Sequence, residues 1–100
     1  MAEWYRRRGY TVVARNWRHG RAGEIDLVVA LDDLVVVCEV KTRRSTRFGR
    51  PAEAIDESKR DRLRRLTVAW LAESGRRPSR VRFDVAEVSG PRIDVIEGAF

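Results

Sequence analysis

Asp26, Glu39 and Lys41 are the residues of this chain whose types and spacing suit chemistry. They fall in two segments that are otherwise apolar, with Ile25, Leu27, Val28 and Val29 in the first and Leu34 to Cys38 in the second. Charged groups within buried segments are costly unless they are paired or hold a metal. Two carboxylates with a backbone carbonyl, here that of Val40, make a hard oxygen set. Such a set suits Mg²⁺ or Mn²⁺, with water completing the shell. Glu24 lies two positions before Asp26, so regular alternation along a strand would put both on one face, with Glu24 as an assisting acid. An ammonium at Lys41 would orient an attacking water or offset charge on a phosphate. The same residues admit a structural reading, an ion-pair network in which Lys41 neutralises Asp26 or Glu39 without metal. The chain uses arginine almost everywhere and keeps lysine only at Lys41 and Lys59. An arginine would serve an ion pair equally well, whereas proton chemistry needs the lysine.

The elements that must position these groups follow from local signals. Ala2 to Arg8 reads as the last turns of a helix, with Gly9 as its C-cap. Tyr10 to Trp17 reads as a first strand, and Glu24 to Leu31 as a second after the turn His19-Gly20-Arg21-Ala22-Gly23. Asp32-Asp33 makes a tight hairpin into a third strand, Leu34 to Thr42, apolar enough to be covered on both faces. Counting outward from that turn sets Asp26 opposite Glu39, with Cβ atoms roughly 5 Å apart in such a pair.

Arg43, Arg44, Arg47 and Arg50 follow at once in a polar loop, and Pro51 to Ile55 reads as a short helical turn. Asp56 is an N-cap, with Glu57 in the first turn, and the helix runs to Ser74 before Gly75 stops it. Leu63, Leu66 and Trp70, widened by Ala69 and Leu71, form its apolar stripe, bordered by Arg60, Arg62, Arg64 and Arg65. Val81, Phe83 and Val85 alternate with Arg82 and Asp84 in a fourth strand, and Arg92 to Ile96 reads as an edge strand. The implied fold class is α/β. Three antiparallel strands lead through a helical crossover to a parallel strand, in a mixed sheet flanked by helices.

One hundred residues suit a single domain, 1–100, with a thin two-layer core. No apolar run approaches the ~20 residues of a membrane span, and Met1 to Arg8 lacks the apolar segment of a signal peptide. Cys38, the lone cysteine, excludes an internal disulfide and a cysteine zinc cluster, so a reduced, cytoplasmic setting is expected. A formal charge of +6 and a pI near 10.6 favour polyanionic partners, nucleic acid above all. The arginines after Lys41, with Lys59, read as contacts to a nucleic-acid backbone beside the acids. His19 reads as plain loop, Cys38 as core and Trp70 as core. Glu53 reads as an exposed helical residue, and Trp17 is open to base stacking.

The motifs Gly9-Tyr10 through Asn16-Trp17, Gly23-Glu24-Ile25-Asp26-Leu27 and Val37 to Arg43 carry a resemblance. So do Phe48-Gly49 with Pro51, Glu53 and Ala54, then Lys59 and Leu63, Arg82-Phe83-Asp84-Val85 and Ala99-Phe100. Together they resemble the YraN family of uncharacterised bacterial proteins, over nearly the whole chain. That family is similar to the PD-(D/E)XK nuclease superfamily, particularly archaeal Holliday-junction resolvases. The resemblance implies a restriction-endonuclease-like fold in which Asp26, Glu39 and Lys41 match the Asp…Glu-x-Lys core. It implies Mg²⁺-dependent endonuclease hydrolysis of phosphodiesters in DNA, branched forms included, and a homodimer, since two cuts need two sites. Members carry a longer first helix, and resolvase-like ones place a glutamate there. The present chain begins near that helix's end and Glu3 sits too late to match, so the first helix is expected to be truncated and its ligand absent. Two other readings share the residues. One is a module of the same fold that binds nucleic acid without cutting; the other is an interaction scaffold whose charges serve solubility and pairing.

Overall fold

The computed structural model describes residues 1–42 and 55–100. Its elements in chain order are α1 (Ala2–Arg6), β1 (Thr11–Arg18), β2 (Glu24–Leu31), β3 (Leu34–Thr42), α2 (Glu57–Ser74), β4 (Arg80–Ser89) and β5 (Arg92–Ile96). The strands form one sheet in the order β1-β2-β3-β4-β5. β1, β2 and β3 are antiparallel neighbours, β4 runs parallel to β3, and β5 returns antiparallel along β4. A parallel pair needs a crossover, and α2 lies within it. The result is α/β, a mixed sheet with a helix on each face, as the local signals predict.

β3 is the reason both faces are covered. Leu34, Val36 and Cys38 join Leu27, Val29, Ala86 and Tyr5 of α1 in one core cluster. Val35 and Val37 face the other way, with Ile25 and Val28, under Leu63, Leu66 and Trp70 of α2. Cys38 is fully buried and burial pushes its thiol up to about 12, so it is an inert core residue. The expected apolar stripe of α2 is therefore its buried face, to which Thr67 adds by donating its hydroxyl to the Leu63 carbonyl at 2.7 Å.

The caps of α2 stand where the sequence puts them. The Asp56 carboxylate accepts from the Lys59 N–H at 2.9 Å, and Gly75 takes the left-handed conformation, φ 75°, with its N–H on the Leu71 carbonyl. Asp56→Ala leaves a first-turn N–H unpaired and lowers stability by about 1 kcal/mol, read from urea unfolding. An unchanged midpoint would mean that tertiary packing alone holds the helix start.

Two boundaries differ from expectation. α1 ends at Arg6 and its C-cap is Arg7 in the right-handed region, not Gly9. Gly9, at φ 91°, instead turns the chain so that the Tyr10 N–H reaches the Tyr5 carbonyl at 3.1 Å, and β1 then starts at Thr11. β4 is longer than its alternating stretch, and two of its acidic positions do not face water. Asp84 and Glu87 are buried, whereas Val81 is 38% exposed. Asp84 lies on the face that α1 covers, where the Tyr5 hydroxyl donates to its carboxylate at 2.7 Å.

Candidate functional site

The β2–β3 pairing runs from Leu31↔Leu34 to Leu27↔Cys38. One step further brings Asp26 level with Glu39, as the tight turn requires. Here the ladder gives way to a side chain: Asp26 Oδ2 accepts from the Val40 N–H at 2.8 Å. Strict alternation also fails at this point. Leu27 belongs to the α1-side core and Ile25 to the α2-side core, although they are two residues apart. Asn16, level with Asp26 across β1, has φ 47°. The backbone of β2 thus bends at Asp26 and presents its carboxylate at the end of the ladder.

Glu39 meets it there. The Glu39 side chain is 11% exposed, and its carboxyl is pushed up to about 7. Burial is the largest cause, followed by a hydrogen bond with Asp26 and the repulsion of that neighbouring charge. Two ammonium groups oppose this rise, Lys59 from α2 and Lys41 from β3. Lys59 Nζ stands 3.5 Å from Glu39 Oε2. Lys59, expected as a phosphate contact, therefore reaches the acids directly. Lys41 is level with Glu87 in the parallel β3–β4 ladder, and Glu87 is 3% exposed. Glu87 was not among the expected site residues. Its only signal is a glutamate among Val85, Ala86 and Val88.

Glu24 does not join the pair. Its carboxylate pairs with Arg18 at 3.6 Å where β1 and β2 end. The bend at Asp26 removes the alternation that would have given Glu24 and Asp26 a common face. Among the described residues no three His, Cys, Asp or Glu side chains gather where they would hold one metal ion. A hollow of about 570 Å³ opens beside Asp26, lined by Glu3 and Arg6 of α1, Arg15 and Asn16 of β1, and Val40. Glu3 lies along this hollow with ion pairs to Arg6 and Arg7. Arg43, Arg44, Arg47 and Arg50, the turn at 51–54 and Glu53 lie outside the described residues.

Residues 1–88 match the sequence model of the uncharacterised protein family UPF0102. The chain belongs to this family. UPF0102 is the YraN family, so the resemblance in the motifs is a true membership. A UPF0102 protein of Rhodococcus jostii is 48% identical over 97 residues, which cover 92% of this chain and 81% of the relative. One from Frankia alni is 50% identical over 97 residues, with 92% and 80% covered. One from Kineococcus radiotolerans is 55% identical over 84 residues, with 83% and 68% covered.

The UPF0102 chain also holds polar groups in places its sequence does not announce. Asp84 is fully buried and accepts from Tyr5 Oη at 2.7 Å, from Arg82 Nε at 2.8 Å and Nη2 at 2.9 Å, and from the Gly98 N–H at 3.0 Å. Burial holds the Tyr5 phenol far above its ordinary range, so it remains a donor. Trp17, open to stacking in the sequence, donates Nε1–H to Glu73 of α2 at 2.7 Å and stacks on His19. Among the described residues no helix is long and apolar enough to cross a membrane.

Proposed function

We propose that this UPF0102 chain is a nuclease-like, nucleic-acid-binding domain of restriction-endonuclease-like fold that hydrolyses phosphodiesters in DNA with Mg²⁺ or Mn²⁺. One observation carries the reading. Two carboxylates from adjacent strands, Asp26 and Glu39, meet at the end of the β2–β3 ladder, and burial, with the hydrogen bond and charge of Asp26 added to it, pushes the Glu39 carboxyl up to about 7. Paired acids whose charges repel are what a divalent cation relieves, and perturbed groups of this kind concentrate at functional sites. Mg²⁺ binds through one or two carboxylates and keeps several waters, so this donor pair fits it without a third acid. A bound hard cation polarises a phosphate and lowers the pKa of its water.

The chain's own residues do the rest. The Val40 N–H orients Asp26. Lys41 and Lys59 set positive charge beside the acids, where a phosphate's developing charge is offset. The hollow beside Asp26, with Arg6 and Arg15 on its wall, gives a DNA strand room to approach. Cutting both strands of a branched duplex needs two such sites, which a homodimer would supply.

A second reading has its own support. Glu39 already has an ammonium at 3.5 Å in Lys59, as a structural ion pair would. The domain would then bind nucleic acid without cutting. Titration with Mn²⁺ by calorimetry separates the two. We expect binding by the wild type and at least a tenfold loss in Asp26→Asn, together with Mg²⁺-dependent cleavage within a panel of branched, flapped and linear DNA. Identical heats from both proteins would remove the metal site and leave the binding module.

A further inference from the structure

A second groove lies away from the acids, on the α2 side of the sheet. It is lined by His19 and Ala22 of the β1–β2 turn and by Arg62, Arg65, Leu66 and Ala69 of α2, and encloses about 290 Å³. We propose that it is a nucleotide-binding subsite, in which a single nucleic-acid strand places a base on His19 and its phosphates on Arg62 and Arg65. The proposal rests on the nucleic-acid reading above and says where a strand runs once it leaves the acids.

The groove is built rather than incidental. The His19 N–H donates to the Gly23 carbonyl at 3.1 Å and the His19 carbonyl accepts from the Ala22 N–H at 3.0 Å, so the turn is closed on itself. The His19 ring stacks on Trp17 with centroids 5.4 Å apart and planes within 14°. Trp17 in turn is tied to α2 through Glu73 at 2.7 Å. An exposed imidazole held flat on a fixed indole is a ready platform for a base, since every base offers a π-face. The turn also lies close against the helix. A Cβ at Gly23 would stand 3.3 Å from the Leu66 side chain and 3.4 Å from that of Arg62, and φ there is 132°. Glycine at this position is what lets the turn form the groove's wall.

The charges suit phosphate. Arg62 and Arg65 are exposed, and among the described residues neither makes an ion pair. The acid nearest in sequence, Asp61, is taken by Arg64 at 3.2 Å. Forked guanidinium groups beside an apolar floor of Leu66 and Ala69 match a nucleotide's phosphate and base together. Lys59, Arg62, Leu66 and Ala69 recur along one flank of α2 at helical spacing. From Lys59, beside Glu39, to Ala69 that flank spans about 15 Å. This is roughly four stacked nucleotide steps of ~3.4 Å. One strand can therefore touch the acids at one end of α2 and the groove further along. An acidic peptide would use the arginines but has no partner for the stacked rings.

The test uses fluorescein-labelled (dT)12, followed by anisotropy without divalent metal across a salt series. Arg62→Ala/Arg65→Ala is expected to bind at least tenfold more weakly and to lower the salt slope by about 1.4, two single-strand phosphate contacts. His19→Ala is expected to lose about fivefold with the salt slope unchanged. Oligonucleotide should also quench the wild-type indole emission, and Trp17→Phe should remove most of that quenching. All the substituted side chains reach the surface, and circular dichroism verifies each fold. Wild-type affinity and salt slope retained by both the arginine and histidine variants would overturn the groove and leave the nucleic-acid reading intact. Equal displacement of the oligonucleotide by a polyglutamate peptide of the same charge would also overturn it, as a site for acidic chains in general. No binding of (dT)12 or of branched DNA by the wild type at low salt would remove the nucleic-acid reading, and the groove with it.

Discussion

Asp84→Ala loses about 3–5 kcal/mol of stability, the largest effect expected of any single substitution at a polar residue here. The carboxylate has no exposure and receives four donors, from α1, from its own strand and from Gly98. Removing it strands the Tyr5 hydroxyl, the Gly98 N–H and the inner face of Arg82 in places water reaches poorly. Arg82 is held above its ordinary pKa range chiefly by its hydrogen bonds to Asp84; when that partner is lost the rise goes with it, but a guanidinium stays charged at neutral pH on its own. Its side chain is 26% exposed, which lets part of the guanidinium turn to water and limits the loss. Asp84→Asn keeps one acceptor and should lose about half as much. Urea unfolding measures both. A loss below 1 kcal/mol for Asp84→Ala would mean that the network contributes little beyond filling space. The network joins α1 to β4 and to the chain after β5, so its loss should also loosen Tyr5 and the wall of the hollow beside Asp26.

The contrast between Asp84 and Asp26 marks what a sequence discloses. Asp26 and Glu39 could be set opposite each other because Asp32-Asp33 closes a two-residue hairpin, and a hairpin's register follows from its turn. The α2 boundaries were equally local, a capping aspartate at one end and a left-handed glycine at the other. Asp84 alternates with Val81, Phe83 and Val85, and nothing in that spacing marks it as buried. It is buried because β4 sits inside the sheet and α1 covers that face, and both facts depend on contacts between residues far apart in sequence. Lys59 shows the same limit. Its place in the first turn of α2 was legible, but its approach to Glu39 depends on how α2 lies across the sheet. Glu24 was misplaced for a local reason, since one bend at Asp26 cancels the alternation that its assignment relied on. His19, read as plain loop, gains its partners only through the fold, Trp17 from the same hairpin and Arg62 and Arg65 from α2.

Glu39→Gln should remove a pH dependence that the wild type carries. The folded-state value near 7 lies above the ordinary value of 4.5, so between these limits the folded chain holds a proton that the unfolded chain releases. Stability is therefore favoured at the acid end of this window and falls as pH rises through 7, by about 3 kcal/mol in total. The groups that face Glu39 fix the sign. Asp26 from β2 opposes its ionisation, while Lys41 from β3 and Lys59 from α2 favour it, and burial outweighs both lysines. A neutral amide at this position has nothing to ionise and can donate to Asp26. The variant should thus be more stable than wild type at pH 8 and close to it at pH 5, by urea unfolding at each pH. Mn²⁺ should then act unequally on the two proteins. At pH 8 it relieves the repulsion between Asp26 and ionised Glu39 and raises the wild-type midpoint by mass action, about 2.7 kcal/mol at a hundredfold excess over Kd. With one carboxylate removed, Glu39→Gln should gain little. A wild type whose stability is flat from pH 5 to 8 would mean that the two lysines already neutralise the pair, and the acids would then have no unmet charge to offer a cation.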